Sequence, residues 1–95
     1  MGTWPAANAL TLVEGDRFAE QADALDPSRK TLDRVLEGVS WAIARDPEYF
    51  PRVAGTTLRV AQVIETTSLP ALLVLYRSLD RDRCELVAVL EDPEG

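Results

Sequence analysis

The chain has 95 residues, 46% hydrophobic and 27% charged, the make-up of one small globular domain rather than of a disordered chain. Its 10 basic and 16 acidic residues leave a net charge of −6, which argues against tight binding of RNA or DNA by the isolated chain, because phosphate neutralisation drives such affinity. There is no histidine and only one cysteine, Cys84. Ser-His-Asp and Cys-His catalysis, an internal disulfide and a multi-cysteine zinc site are thereby excluded. Carboxylate-only Mg²⁺ or Ca²⁺ sites stay open, but no EF-hand or P-loop spacing is present, and no cofactor or metal centre is expected.

Residues 1–8 read as a loosely ordered arm with Trp4 available to anchor it. The start, Met1-Gly2-Thr3-Trp4-Pro5, lacks the basic region and long apolar core of a secretory leader. The longest apolar run, Ala71 to Tyr76, is far short of a membrane span, so a cytoplasmic location and no membrane partner are expected. Residues 9–13 have strand character, with Leu10 and Leu12 on one face. Gly15-Asp16 breaks that strand and opens a short helix from Arg17 to Leu25, on which Phe18, Ala22 and Leu25 share a face.

Asp26-Pro27 reads as the start of a second helix, with Asp as N-cap and Pro at the first helical position. Leu32, Val35, Leu36, Val39, Ala42 and Ile43 then recur at helical spacing as far as Arg45, with Trp41 off that stripe. Asp46-Pro47 ends the helix. A connector, residues 48–57, contains Pro51 and Gly55. Three strands follow at residues 58–65, 71–78 and 84–90, the last two joined by the charged turn Asp80-Arg81-Asp82-Arg83. The order β-α-α-β-β-β predicts an α+β fold with two N-terminal helices on one face of an antiparallel sheet. The domain spans residues 9–91, and residues 92–95 form an acidic tail.

Alternation along the strands leaves a second face to account for. One set comprises Arg59, Ala61 and Val63 with Leu73, Leu75 and Arg77; the other comprises Leu58, Val60, Gln62 and Ile64 with Leu72, Val74 and Tyr76. The last strand is apolar on both sides through its middle. Two helices cover one face only, so Ala61, Val63, Leu73 and Leu75 are expected to form an exposed apolar patch, the usual mark of an interface.

The helix ending Trp41-Ala42-Ile43-Ala44-Arg45-Asp46-Pro47, the Gly55 connector, Leu58-Arg59-Val60, the run Pro70-Ala71-Leu72-Leu73-Val74-Leu75-Tyr76-Arg77 and the final strand are, in this order and spacing, similar to the RelE/ParE superfamily of toxins from bacterial type II toxin–antitoxin modules. The resemblance covers residues 9–91 and implies a RelE/ParE-like fold and an antitoxin protein as partner. In the ribonuclease branch it implies basic side chains that stabilise charge as a 2′-hydroxyl attacks mRNA in the ribosomal A site. Arg59 matches one basic position of that site and becomes the catalytic candidate. The next basic position falls on Ala61, a key arginine on Leu73, and the basic and aromatic residues after the last strand on Glu91-Asp92-Pro93-Glu94-Gly95. The frame is kept and most of the charge is missing, so an efficient ribonuclease is not expected. Gyrase inhibitors of the ParE type do not need that constellation.

The partner-binding candidates are Ala61, Val63, Leu73, Leu75, Arg77 and Trp41. Three candidates have a plainer alternative: a solvated or ion-paired strand arginine for Arg59, a local pair near the Asp80 turn for Arg77, and cover for Tyr49-Phe50-Pro51 for Trp41. Tyr76 alternates with Leu72 and Val74 and reads as a core tyrosine. Three functions stay open. They are a toxin-like protein that binds an antitoxin and a cellular target, an mRNA interferase with a displaced basic site, and a degenerate, non-toxic module that binds or self-assembles. A homodimer is expected where no antitoxin covers the apolar face.

Overall fold

The computed structural model describes residues 10–94 and, before them, the backbone of Thr3–Trp4. The anchoring expected of the Trp4 side chain, and Gly95 of the tail, lie outside the described residues. The elements are β1 (Thr3–Trp4), β2 (Thr11–Glu14), α1 (Asp16–Leu25), α2 (Lys30–Arg45), β3 (Arg59–Val63), β4 (Leu72–Ser78) and β5 (Arg83–Glu91). The fold is α+β, as the order of periodicities implies.

The sheet runs β1-β2-β5-β4-β3. The meander β3-β4-β5 is antiparallel throughout, but β2 pairs with β5 in parallel, with Leu12 beside Cys84 and Glu14 beside Leu86. The sheet is therefore mixed, not antiparallel. Two antiparallel pairings make β3 and β5 run the same way, so β2 runs with both. The chain from Glu14 to Arg59 is thus a crossover of the kind that parallel strands require. A short strand also forms inside the expected arm, where Trp4 pairs with Leu12.

The second helix begins later than its sequence suggests. Asp26-Pro27 lies in a turn, Arg29 takes a left-handed backbone (φ 64), and helical geometry starts at Lys30. Asp26 still caps the helix from a distance: its Oδ2 accepts the N–H groups of Thr31 (3.1 Å) and Leu32 (3.0 Å). The Leu32 bond above all holds the Asp26 carboxyl below its ordinary value. Orphan N–H groups of a first turn need such an acceptor.

The core joins Phe18 and Ala22 of α1 and Leu32, Leu36 and Ile43 of α2 to Leu12, Ala61, Leu72, Val74, Tyr76, Cys84, Leu86 and Val89 of the sheet. Both helices therefore cover the same face. A bulge opposite Leu75/Tyr76 explains why β5 looked apolar on both sides. Leu75 pairs with Ala88 but Tyr76 with Leu86, so the alternation slips by one at Val87 and both Leu86 and Val89 reach the core. The N–H of Val89 is satisfied by Oε1 of Gln21 on α1 at 3.0 Å. Gly15 fits because its N–H donates to Leu86 O at 2.9 Å; a Cβ there would lie 2.7 Å from Oε2 of Glu85.

Candidate functional site

The register of β3 against β4 divides the expected partner surface. Ala61 pairs with Val74 and Val63 with Leu72, so Ala61 and Val63 lie on the helix-covered face; Ala61 is fully buried and Val63 packs against the core. The expectation that they share an exposed patch with Leu73 and Leu75 is wrong. Alternation sorts residues within one strand, whereas register decides which sets of neighbouring strands join. A small side chain suits the buried position beside Val74, and the polar Gln62 faces away from the helices.

On the helix-free face two rows of side chains run across the strands. Val60, Leu75 and Ala88 form one, and Gln62, Leu73 and Leu90 the next. Leu73 and Leu75 are half-buried, Leu90 is 39% exposed and Ala88 is buried, and both described helices pack on the other face. Arg77 begins a third row and is paired with Glu85 at 2.9 Å. This face is less charged than the sequence suggests, without Arg59, and has Val60 and Leu90 in place of Ala61 and Val63. Trp41 is elsewhere, 51% exposed on α2. Among the described ring contacts it does not cover the connector: Phe50 packs edge-on against both Tyr49 and Tyr76.

Arg59, the catalytic candidate, is a tether. Its Nη1 donates to Phe50 O (2.7 Å) and Glu48 O (3.1 Å), drawing the connector onto the end of β3. Val60 N–H donates to Pro51 O and Val53 N–H to Leu58 O, so the connector continues the sheet for a few residues, with Arg52 directly opposite Arg59. Tyr76 locks the same segment from the core: its hydroxyl donates to Pro47 O at 2.7 Å. Burial pushes the Tyr76 pKa up to about 12, which keeps the phenol a neutral donor to Pro47 O. Burial likewise raises the Cys84 thiol, whose Sγ sits 3.8 Å from the Ser78 hydroxyl.

A cleft of about 260 Å³ at this end of the sheet is lined by Glu48, Arg52, Thr57, Arg59, Arg77 and Ser78. Three arginines line it, of which Arg77 is paired with Glu85 and Arg59 gives its Nη1 to the Glu48 and Phe50 carbonyls, so Arg52 and the remaining guanidinium N–H groups are the donors available to an anion. Arg52 was legible in the sequence only as a connector arginine. Its juxtaposition with Arg59 depends on the connector pairing with β3. Leu73 pairs with Gln62, three residues along β3 from Arg59, and is not among the residues that line this cleft.

A second charged cluster has no signal in the sequence beyond one i,i+4 pair. Arg29 meets Glu14 (2.7 Å), Asp33 (2.9 Å) and Asp23 (3.2 Å), joining β2, α1 and α2. Burial works against the Arg29 charge, yet these three carboxylates hold its pKa above the ordinary guanidinium value. Among the described residues no group of His, Cys, Asp or Glu side chains is placed to hold a metal ion, and no helix is long and apolar enough to cross a membrane. Compared with known proteins, the chain matches no family model, no curated protein and no solved structure.

Proposed function

We propose that this chain is a toxin-like component of a type II toxin–antitoxin pair, built on a RelE/ParE-like frame, that works by protein–protein contact through its helix-free sheet face. The observation that carries the reading is the apolar set Val60, Leu73, Leu75 and Leu90, on the face opposite the two described helices. Contiguous apolar surface of this kind is costly to leave in water and is ordinarily covered by a partner. An amphipathic antitoxin segment, or a second copy of the chain where antitoxin is missing, is the occupant proposed. The two helices followed by a three-strand meander support the RelE/ParE-like frame. An apolar Leu73, and acidic Glu91, Asp92 and Glu94 where the ribonuclease branch carries basic side chains, support a protein target such as gyrase over RNA. Expression of the chain alone, and together with any small open reading frame found beside its gene, tests it. Growth arrest relieved by the neighbour is expected. Growth unaffected by the chain alone would overturn the toxin reading and leave a binding or self-assembling module.

A second reading rests on the arginine cleft. Arg52, Arg59 and Arg77 line one anion-sized space, which suits a phosphate of ribosome-bound mRNA, with the basic site displaced from its usual positions. Codon-linked cleavage lost in Arg52→Ala would support it. An intact ribosome-bound message after incubation with the purified chain would exclude it.

A further inference from the structure

We propose that the outer edge of β3, at Gln62 and Ile64, binds a short extended peptide of alternating apolar and basic residues as an added strand. This is an edge and not the helix-free face, so the proposal does not rest on the reading above.

β3 is the last strand of the sheet. The connector occupies its outer edge only as far as Val60, through the bond from Val60 N–H to Pro51 O at 3.0 Å. Main-chain groups alternate in direction along a strand, so those of Gln62, and of Ile64 just beyond, point the same way as those of Val60. Among the described residues nothing pairs with them. Proteins ordinarily blunt an open edge with lysine, proline or a bulge. Here Pro51 and its neighbours shield half of it, and the open half carries Ile64, 85% exposed.

The chemistry of the occupant follows from the surroundings. A cleft of about 230 Å³ beside this edge is lined by Gln62, Val63, Ile64, Glu65, Ala71 and Asp92, and its charged groups are both acidic. Glu91, opposite Leu72, and Glu94 stand at the same end of the sheet. Residues 60–76 and 84–95 contain no lysine or arginine at all. An added strand therefore meets apolar Val60 and Ile64 along one side and carboxylates at the end. A second copy pairing through the same edge would bring two acidic ends together, which disfavours self-association there. A strand with alternate valine-like and lysine-like residues satisfies the backbone, the apolar side chains and the charge at once.

The test titrates an alternating valine–lysine heptapeptide into the isotope-labelled full chain. Amide shifts centred on Gln62 and Ile64 are expected. Binding should weaken about tenfold when alternate peptide nitrogens are methylated, since each lost strand bond contributes a modest increment. Gln62→Pro should weaken it similarly while keeping the fold, because the missing N–H faces outward on an edge strand. Unchanged thermal unfolding checks that variant, and the methylated peptide on the natural chain decides if the variant does not fold. Leu90→Ser, two strands away from this edge on the helix-free face, should leave peptide binding intact. The proposal is overturned if the peptide does not bind, if a valine–glutamate heptapeptide binds as tightly, if methylation makes no difference, or if the shifts centre on Leu73 and Leu75.

Discussion

Replacing Arg29 by Ala should unfold the protein at a much lower temperature, because one guanidinium holds three elements together. The Glu14 side chain is 7% exposed and that of Arg29 18%, at 2.7 Å separation, so this is the desolvated pair of the cluster. Removing one partner of such a pair typically costs about 3–5 kcal/mol, since the other charge stays buried. The bonds to Asp23 and Asp33 are to carboxylates 63% and 45% exposed, and are worth at most about 1 kcal/mol each after solvent screening. A loss of about 3 kcal/mol in a domain of this size lowers Tm by roughly 12–24 °C. Arg29 also sits at φ 64, a conformation that costs a non-glycine residue about 1–2 kcal/mol. Arg29→Gly should therefore lose the same ion pairs yet be more stable than Arg29→Ala by about 1 kcal/mol. Glu14→Gln combined with Arg29→Ala should recover part of the loss, because a neutral amide costs less to bury than a carboxylate. Thermal and urea unfolding of the four proteins measure this. A loss below about 1 kcal/mol in Arg29→Ala, within the range of an exposed pair, would refute the clamp.

Leu73→Glu should reduce self-association or antitoxin binding without unfolding the chain, since burying a leucine contributes about 1.5–3 kcal/mol to an interface; sedimentation of a strictly monomeric natural chain would contradict this. Tyr76→Phe should cost about 1 kcal/mol by leaving Pro47 O without its donor, read as a Tm fall of about 4–8 °C. The same variant should lose the tyrosine titration near pH 12 seen by ultraviolet absorbance; because the folded value lies above the unfolded 10.0, this stabilisation is complete below pH 10 and is lost as pH rises through 12. Asp26→Asn should lower Tm at neutral pH. The folded carboxyl lies below its unfolded value of 3.8, so its contribution is present above that pH and disappears as pH falls through the folded value, and the two proteins should converge in acid. A gap that persists in strong acid would show that the Asp26 charge is not what caps α2.

The catalytic and partner candidates separate once the strands are in register. Arg59 lies in a cleft but spends its Nη1 on two carbonyls, Ala61 and Val63 belong to the core side, Leu73 and Leu75 to the open face, Arg77 to an ion pair, and Trp41 to the outside of α2. The residues that bring the arginine cleft and the Arg29 clamp into being are distant in the chain, and their meeting leaves no mark in local spacing. Gln62 and Ile64 look like ordinary strand residues until β3 is found at the edge of the sheet.

What the sequence determined by itself was the kind and order of the elements. Periodicity 3.6 marks α2 through Leu32, Leu36 and Ile43, and alternation marks β4 through Leu72, Val74 and Tyr76, because a local repeat selects the face each residue presents. Pro47 and the Asp80–Arg83 turn place breaks where backbone geometry requires them. Tertiary structure alone decided the parallel pairing of β2 with β5, the slip at Val87, the late start of α2 after Arg29, and the burial of Ala61 in place of Gln62. Each of these depends on register or on contacts between residues far apart in the chain, and local pattern carries no term for either.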